Sequence, residues 1–240
     1  MWTFAPLLLS AQARAQVPAD PPECGRTTIG KLAQGPVPGV IVLGERKGTL
    51  PDLSRAKRLV KKLAKRGPVT LALQAVRQDH QGVLDQAAAG QLALEQVPTA
   101  LDWENSWGFP WSAYAPLLEL EGVKLVGIGQ DYKLRPLDEP VQLPPAYFNV
   151  LVDPMGDNPV PPELETRYVE FVAWADSRLA AAALDAWDGQ GALVVVVDRY
   201  HVEGGLGVAW QAQRRTDKPV AAALLADADS RCYPGDTLVH

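Results

Sequence analysis

The chain has few of the residues that build metal sites. Its 240 residues include only two cysteines and three histidines, and His240 is the last residue. A catalytic zinc site draws three protein ligands from His, Asp, Glu and Cys. Because His80 is predicted to lie on an early helix, His201 is the one credible histidine ligand. A metal site would therefore have to rely also on Glu45 and Glu203.

The two cysteines, Cys24 and Cys232, stand at opposite ends of the chain. That separation is not the spacing of a zinc site, which excludes zinc bound by cysteines. In an exported protein they could close a very long loop, a cross-link worth about 5 kcal/mol in the chain-entropy model. The sequence leaves open whether they form this disulfide or remain two separate thiols.

Several sequence motifs are also missing. The chain has no Gly-x-x-x-x-Gly-Lys-Ser/Thr phosphate loop, no Gly-x-Gly-x-x-Gly after the first predicted strand and no Gly-x-Ser-x-Gly elbow. These motifs bind nucleotides or carry a nucleophilic serine. We therefore expect no nucleotide cofactor and no serine hydrolase chemistry. Beyond the amino terminus, no apolar run approaches the ~20 residues of a membrane span.

The net charge of −5 and the pI near 5.3 offer no general attraction to nucleic acid, and we expect no such partner. Basic charge is concentrated in residues 52–66, which carry seven basic groups and one acidic group. The apolar residues of this segment keep helical spacing, so the basic residues should face solvent. We expect the basic side of this helix either to be solvated or to contact an anionic membrane surface or a protein. The oligomeric state is not indicated.

The amino terminus resembles a short secretory signal. An apolar stretch is followed by small-residue patterns at Ala11-Gln-Ala13 and Ala13-Arg-Ala15, which predicts a signal peptide over residues 1–15. No Lys or Arg precedes the apolar run, which argues against this interpretation. A Pro-rich leader is expected over 16–37 and a folded domain over 38–240. We expect a periplasmic or secreted protein, with a cytoplasmic location as the alternative.

Strand and helix patterns alternate along the domain. This alternation predicts a single α/β domain with a mostly parallel central sheet flanked by helices. An irregular, Pro-rich excursion is expected over residues 131–162. The predicted strands are 40–44, 69–74, 123–129, 192–198 and 219–225, and the main predicted helices are 52–66, 78–90, 111–121 and 163–186.

Polar side chains follow two of the most apolar predicted strands. Glu45 and Lys47 come after the first strand, and Tyr200, His201 and Glu203 come after the strand at 192–198. Parallel sheets place their binding sites just beyond the carboxyl ends of the strands. We therefore expect these side chains to lie around one site, unless they are ordinary loop residues.

Five segments of the chain form an ordered pattern. They are Leu43-Gly-Glu45, Leu71 to Gly90, Trp103 to Leu118, Trp174-Ala-Asp176-Ser-Arg-Leu-Ala180, and His201-Val202 with Gly207-Val208. Together, over roughly residues 38–225, they resemble the ChaN-like haem-binding uptake proteins of the Tiki/TraB superfamily. The pattern of that family is Leu-Gly-Glu-x-His, then Leu-Glu, a Trp…Trp-Gly…Tyr-x-Pro-Leu segment and a late Gly-x-Gly-His-Val.

The chain departs from that pattern at polar positions. Lys47 stands where the family has His, and Gln74 stands where it has Glu. A lysine cannot bind a metal until it loses its proton, and an amide replaces a carboxylate. Metal-dependent hydrolysis is therefore disfavoured. We assign no catalytic residue, leave enzymatic activity uncertain and favour a non-catalytic role.

The resemblance implies haem, or another small anionic ligand, as the partner. Tyrosinate can bind ferric haem iron, and Tyr200 has His201 beside it as a candidate proton acceptor. The aromatic residues Trp103, Trp107, Phe109, Trp111 and Tyr114 would form either a wall for the porphyrin or core packing. The predicted haem-binding residues are Tyr200, His201, Glu45, Lys47, Gln74, Trp107 and Tyr114.

Two alternatives to haem binding stay open. One is a residual Tiki/TraB-like metal-dependent hydrolase that uses Glu45, Gln74 and His201. The other is a degenerate domain that acts through protein contacts. On the long helix, Asp176 and Arg178 match a family segment, and an ion pair on the helix surface is the expected role.

Overall fold

The computed structural model describes residues 24–131, 133, 142–144, 146–153, 160–227 and 230–240. The predicted signal peptide, residues 1–15, lies outside the described residues. So do the beginning of the predicted leader and part of the excursion over 131–162.

The core is a sheet of seven strands in the order β1-β7-β6-β2-β5-β3-β4, and every neighbouring pair is parallel. The predicted fold class, a single α/β domain, is confirmed, and the sheet is more uniformly parallel than expected. The strands are β1 (Gly25–Thr27), β2 (Gly39–Glu45), β3 (Val69–Arg77), β4 (Val123–Gly129), β5 (Ala192–Asp198), β6 (Val220–Leu225) and β7 (Thr237–Val239).

The central strands form because their apolar, mostly β-branched side chains are covered on both faces. Every residue of β2 and β5 is buried, as expected for the middle of a parallel sheet between helices. The sequence prediction omitted β1 and β7, which have three residues each. The pairing of β1 with β7 brings a strand from the expected leader into the sheet. At this end of the sheet, a disulfide joins Cys24 to Cys232.

Helices cover both faces of the sheet. The apolar side of α2 packs on one face, and α8 and α9 pack on the other. None of the helices among the described residues is both long enough and apolar enough for a membrane span. The helices are α1 (Ile29–Leu32), α2 (Leu50–Ala64), α3 (Gln81–Ala88), α4 (Val97–Ala100), α5 (Trp103–Ser106), α6 (Ala115–Leu118), α7 (Tyr147–Leu151), α8 (Glu165–Ala186) and α9 (Val208–Gln213).

One helix prediction was wrong. The helix expected over residues 111–121 is a 3₁₀ turn, Trp111–Ala113, followed by the four-residue α6. Pro110 and Pro116 flank or enter these turns. Proline lacks the backbone N–H needed inside a helix, so the segment is limited to single turns.

The basic helix α2 has its apolar side in the core, as predicted. Arg55 is bound to the buried Asp52 and to Asp227, and Lys57 pairs with Glu119. The exposed basic side chains are Arg58, Lys61, Lys62, Lys65 and Arg66. Contact of this helix with a membrane surface or a protein stays a prediction.

The connections that leave β2 and β5 create a crevice at the centre of the sheet. The two strands are neighbours, and Glu45 pairs in register with Asp198 at their carboxyl ends. The chain then leads from β2 to α2 on one face and from β5 to α9 on the other. Loops that diverge in this way leave a binding crevice just outside the carboxyl ends of the strands in an open α/β sheet.

Candidate functional site

An open cleft of about 440 Å³ lies beyond the carboxyl ends of β2 and β5. This volume falls within the range of about 300–1,000 Å³ that is typical of small-molecule sites. Its lining combines three tyrosines with acidic and basic side chains. The lining residues are Glu45, Arg46, Lys47, Val150, Leu151, Asp153, Tyr168, Asp198, Arg199, Tyr200, Glu203, Arg231 and Tyr233.

Glu45 forms part of the cleft floor. It is 2% exposed, and its carboxylate accepts hydrogen bonds from the Tyr114 hydroxyl and, at 3.0 Å, from the Gly48 backbone N–H. Burial raises the pKa of Glu45 to about 7, against the opposing effect of the Tyr114 hydrogen bond, and the nearby Asp198 raises it further. Glu45 is therefore expected to change its protonation state near neutral pH.

Asp198 lies beside Glu45 and organises the other half of the floor. Lys47 Nζ is 3.3 Å from Asp198 Oδ2 and 5.7 Å from the centroid of the Tyr200 ring. The Tyr200 hydroxyl also bonds to Asp198. Burial raises the pKa of Asp198, although the positive charge of Lys47 opposes the shift. Asp198 is thus the carboxylate in place to take a proton from Tyr200.

Most other charged groups of the lining are held in ion pairs. Arg199 Nε is 2.7 Å from Glu203 Oε1, and Arg231 pairs with Asp153. Arg46 is engaged by the buried Asp52 and by Asp227. These pairs fix the rim of the cleft. Lys47 is the most exposed of the basic side chains in the described lining, at 56%.

His201 lies behind the cleft, not in its lining. It is 1% exposed, and its Nε2 is 2.9 Å from Gln74 Nε2 while its Nδ1 is 2.5 Å from Asp176 Oδ1. Both ring nitrogens are therefore engaged. The expectation that His201 accepts the Tyr200 proton was wrong, because Asp198 receives that hydrogen bond.

Asp176 also differs from its predicted role. We expected a surface ion pair with Arg178, but Asp176 is 1% exposed and bonds to His201 and to the Tyr147 hydroxyl. Its position on α8 faces the sheet, where burial raises its pKa and the contact with His201 opposes that shift. The expected pairing of Asp176 with Arg178 was therefore wrong.

The aromatic segment from Trp103 to Tyr114 forms core packing. The Trp103 ring lies 4.9–6.2 Å from those of Trp107, Phe109, Trp111 and Tyr114. The Trp107 indole donates to the Ala75 carbonyl at 2.9 Å. Neither Trp107 nor Tyr114 belongs to the cleft lining. Of the two interpretations offered by the sequence, this geometry favours packing, and contact of either residue with a ligand stays a prediction.

Of the seven predicted site residues, the structure brings Glu45, Lys47 and Tyr200 into the lining, while Gln74 and His201 lie just beneath it. The hydrolase alternative requires Glu45, Gln74 and His201 to surround one metal, but Gln74 and His201 bind each other. Among the described residues, no group of three or more His, Cys, Asp and Glu side chains is arranged to hold a metal ion.

Sequence reasoning missed most of the lining, including two of its three tyrosines and the carboxylate beside Glu45. Tyr168 lies on α8, Tyr233 lies just after the disulfide at Cys232, and Asp198 was predicted only as the last residue of a strand. No sequence signal groups the two tyrosines with Tyr200, since they come from separate segments. Asp198 could have been found, because it ends β5 opposite Glu45.

Comparisons with known proteins agree with this architecture. Residues 36–134 match the family model described as haem-binding uptake, Tiki superfamily, ChaN. A solved structure of ChaN of Campylobacter jejuni, described as showing cofacial heme binding, superposes with a TM-score of 0.62 at 18% identity and covers 84% of this chain and 86% of that chain. No curated protein matches the sequence.

A second solved structure is RRSP, a MARTX toxin effector domain from Vibrio vulnificus. It superposes with a TM-score of 0.50 at 14% identity, covering 84% of this chain but only 37% of that chain. At such identities, likeness to solved structures shows the fold alone. Together with the family match, the superposition confirms the resemblance that the sequence motifs predicted.

Proposed function

We propose that this ChaN-like chain of the Tiki superfamily binds haem, or a closely related planar anionic ligand, in the cleft beyond β2 and β5, without catalysing a reaction on it. The family match and the shared fold support a haem-related binding role. The observation that carries the proposal is Tyr200, a half-buried phenol in the lining with a carboxylate bonded to its hydroxyl.

The residues of the cleft fit a ferric porphyrin. Tyrosinate is a known ligand of ferric haem iron. To serve as that ligand, Tyr200 must lose its proton, and Asp198 stands in place to accept it. Lys47 is the exposed cation beside both residues and can meet an anionic substituent at the rim. Tyr168 and Tyr233 supply further aromatic surface.

An absorbance titration with ferric haem tests the proposal. Wild-type protein should show saturable binding with a shifted Soret band, and Tyr200→Phe should lose that band because the phenol oxygen is gone. Trp210→Phe is the control, since it alters a half-buried aromatic side chain on α9, outside the lining. We expect it to bind like wild type. Absence of saturable binding to the wild type would reject the haem proposal.

The non-catalytic part is tested on the same complex. Pigment extracted after long incubation, with and without a reductant, should be unchanged haem in full yield. Recovery of an opened ring or of iron-free porphyrin, dependent on Tyr200 or Glu45, would show catalysis and overturn this part of the proposal.

We further propose an extracytoplasmic location. The Cys24–Cys232 disulfide supports it, since structural disulfides persist mainly in oxidising compartments. The test is to alkylate the thiols in intact cells before lysis and to fractionate the compartments. We expect the disulfide to protect both cysteines from alkylation, and we expect the protein in a fraction outside the cytoplasm. Fully alkylated cysteines in a cytoplasmic fraction would contradict the proposal.

A further inference from the structure

The orientation of the Gln74 side chain follows from one hydrogen bond. The backbone N–H of Asp198 points at the Gln74 amide with a nitrogen-to-oxygen distance of 2.7 Å. A backbone N–H can only donate, so the atom that receives it must be the amide oxygen. The amide NH₂ of Gln74 is then the group that faces His201 Nε2, at 2.9 Å.

This orientation determines the tautomer of His201. An amide NH₂ can only donate, so Nε2 must accept and cannot carry a proton. The ring proton then lies on Nδ1, which donates to Asp176 Oδ1 at 2.5 Å. The Tyr147 hydroxyl donates to the other oxygen of Asp176. His201 is thus held as a neutral imidazole with one defined tautomer.

The same buried groups hold Tyr200 from two sides. The rings of Tyr200 and His201 are in contact, with centroids 4.1 Å apart and planes inclined by 37°. The hydroxyl of Tyr200 bonds to Asp198, whose backbone N–H is fixed by Gln74. Gln74 therefore supports both the imidazole on which the phenol ring rests and the backbone of the residue whose carboxylate meets the Tyr200 hydroxyl.

We propose that Gln74 and His201 are positioning residues for Tyr200: Gln74 fixes His201 as the neutral Nδ1–H tautomer and, through Asp198, fixes the hydrogen bond of the Tyr200 hydroxyl. The consequence of this inference rests on the proposed function: the two residues determine how the Tyr200 phenol meets the iron of ferric haem. Groups that orient a metal ligand typically change affinity by about 10–100-fold when altered.

A carboxylate at position 74 would reverse the arrangement. Both of its oxygens accept hydrogen bonds, so it could still receive the Asp198 N–H but would require a proton on His201 Nε2. His201 would then carry protons on both nitrogens, between two carboxylates and against the Tyr200 ring. Gln74→Glu is nearly identical in shape to the wild type and therefore isolates this change in proton placement.

The first experiment uses the haem-free protein. ¹⁵N NMR of the histidine side chains, with His201 assigned by comparison with the His80→Gln and His240→Gln variants, should show wild-type His201 protonated on Nδ1 alone. Protonation on Nε2 alone would overturn the proposal without any variant. Gln74→Glu should show both nitrogens protonated, and the matched control Gln78→Glu, at an exposed position after β3, should resemble wild type.

The second readout is the Tyr200 signal itself. With tyrosine labelled at Cζ, the ¹³C shift of Tyr200, assigned through Tyr200→Phe, should move in Gln74→Glu and stay in place in Gln78→Glu. With ferric haem, Gln74→Glu should weaken binding about 10–100-fold and change the phenolate-to-iron absorption band. An unmoved Tyr200 signal, or an unchanged band and affinity in Gln74→Glu, would overturn the inference.

Failure of the inference is distinguishable from failure of the proposed function. Wild type that binds haem through Tyr200, with no effect of Gln74→Glu, leaves haem binding standing and removes the positioning role. Wild type that does not bind haem rejects the proposed function, while the ¹⁵N and ¹³C measurements still decide whether Gln74 and His201 position Tyr200.

Discussion

Two aromatic regions of the molecule contrast in origin and in environment. The first is the aromatic segment from Trp103 to Tyr114, which is continuous in sequence and packs into the core. The second is the set of cleft tyrosines, Tyr168, Tyr200 and Tyr233, which come from three distant segments and line the cleft. The region that is conspicuous in the sequence is structural, and the region that can meet a ligand is assembled only by the fold.

The difference follows from what each side chain must bury. A tryptophan in a packed cluster gains stability through its large apolar area and ring contacts. A tyrosine at a cleft keeps its hydroxyl available for a polar partner. Glu45 connects the two regions, because it accepts a hydrogen bond from Tyr114 and also lines the cleft. Variants in each region should therefore separate stability from binding.

The largest expected effect is on stability, in the aromatic segment. Trp103 is 2% exposed and touches four other rings, so Trp103→Ala should lower the free energy of unfolding by about 3–5 kcal/mol, the usual cost of truncating a buried tryptophan. Urea denaturation followed by circular dichroism measures it. A loss below about 1 kcal/mol would show that the cluster is not an integral part of the core.

The second prediction concerns the pH dependence set by Glu45. Its pKa is raised from 4.5 to about 7 by burial. Between these values the folded state holds a proton that the unfolded chain has released, so stability falls as pH rises, and above pH 7 the full cost is present. The shift corresponds to about 3 kcal/mol. Glu45→Gln should remove this component.

Unfolding free energies at several pH values from 4.5 to 8.5 test that assignment. The curve of Glu45→Gln should be flatter than that of wild type by about 3 kcal/mol across this range. Asp236, whose burial raises its pKa to about 6, should still contribute its own slope in both proteins. Parallel curves for the two proteins would mean that Glu45 ionises normally.

Tyr114→Phe sharpens the comparison at the point where the regions meet. The variant keeps the ring in the core but removes the donor to Glu45, which should cost about 1–2 kcal/mol. Because that hydrogen bond lowers the pKa of Glu45, its loss should extend the pH-dependent window to higher pH. The variant Glu45→Gln/Tyr114→Phe is the control, since the pH shift should vanish in it.

The sheet was largely predictable from sequence, because buried β-branched runs such as Ala192–Asp198 leave few alternatives. The short edge strands were not, because three residues carry no periodic pattern and the pairing of Gly25–Thr27 with Thr237–Val239 links the two ends of the chain. Around Trp111 the sequence predicted one continuous helix, whereas the prolines limit the segment to single turns.

The site was only half predictable. Strand ends pointed to Glu45, Lys47 and Tyr200, because parallel strands present their carboxyl ends at one edge. Sequence could not separate the lining from the layer beneath it, where Gln74 and His201 bind each other. The sequence also could not show that Asp176 is buried. Its burial depends on His201 and Tyr147, which come from other segments and bond to it only in the folded chain.

The smallest expected effect on stability belongs to Tyr168, a half-buried residue of the cleft. Tyr168→Phe should change the free energy of unfolding by less than about 0.5 kcal/mol, because the substitution keeps the ring that packs against the buried cluster and removes only a hydroxyl. Burial and the nearby Glu203 raise the pKa of Tyr168, so its hydroxyl stays protonated and acts as a donor, not as a phenolate. Haem affinity should therefore fall only about fivefold, the worth of one hydrogen bond, with the Soret maximum unchanged. Should Tyr168→Phe abolish the shifted band while Tyr200→Phe keeps it, the phenol that meets the ligand would lie on α8 and not after β5.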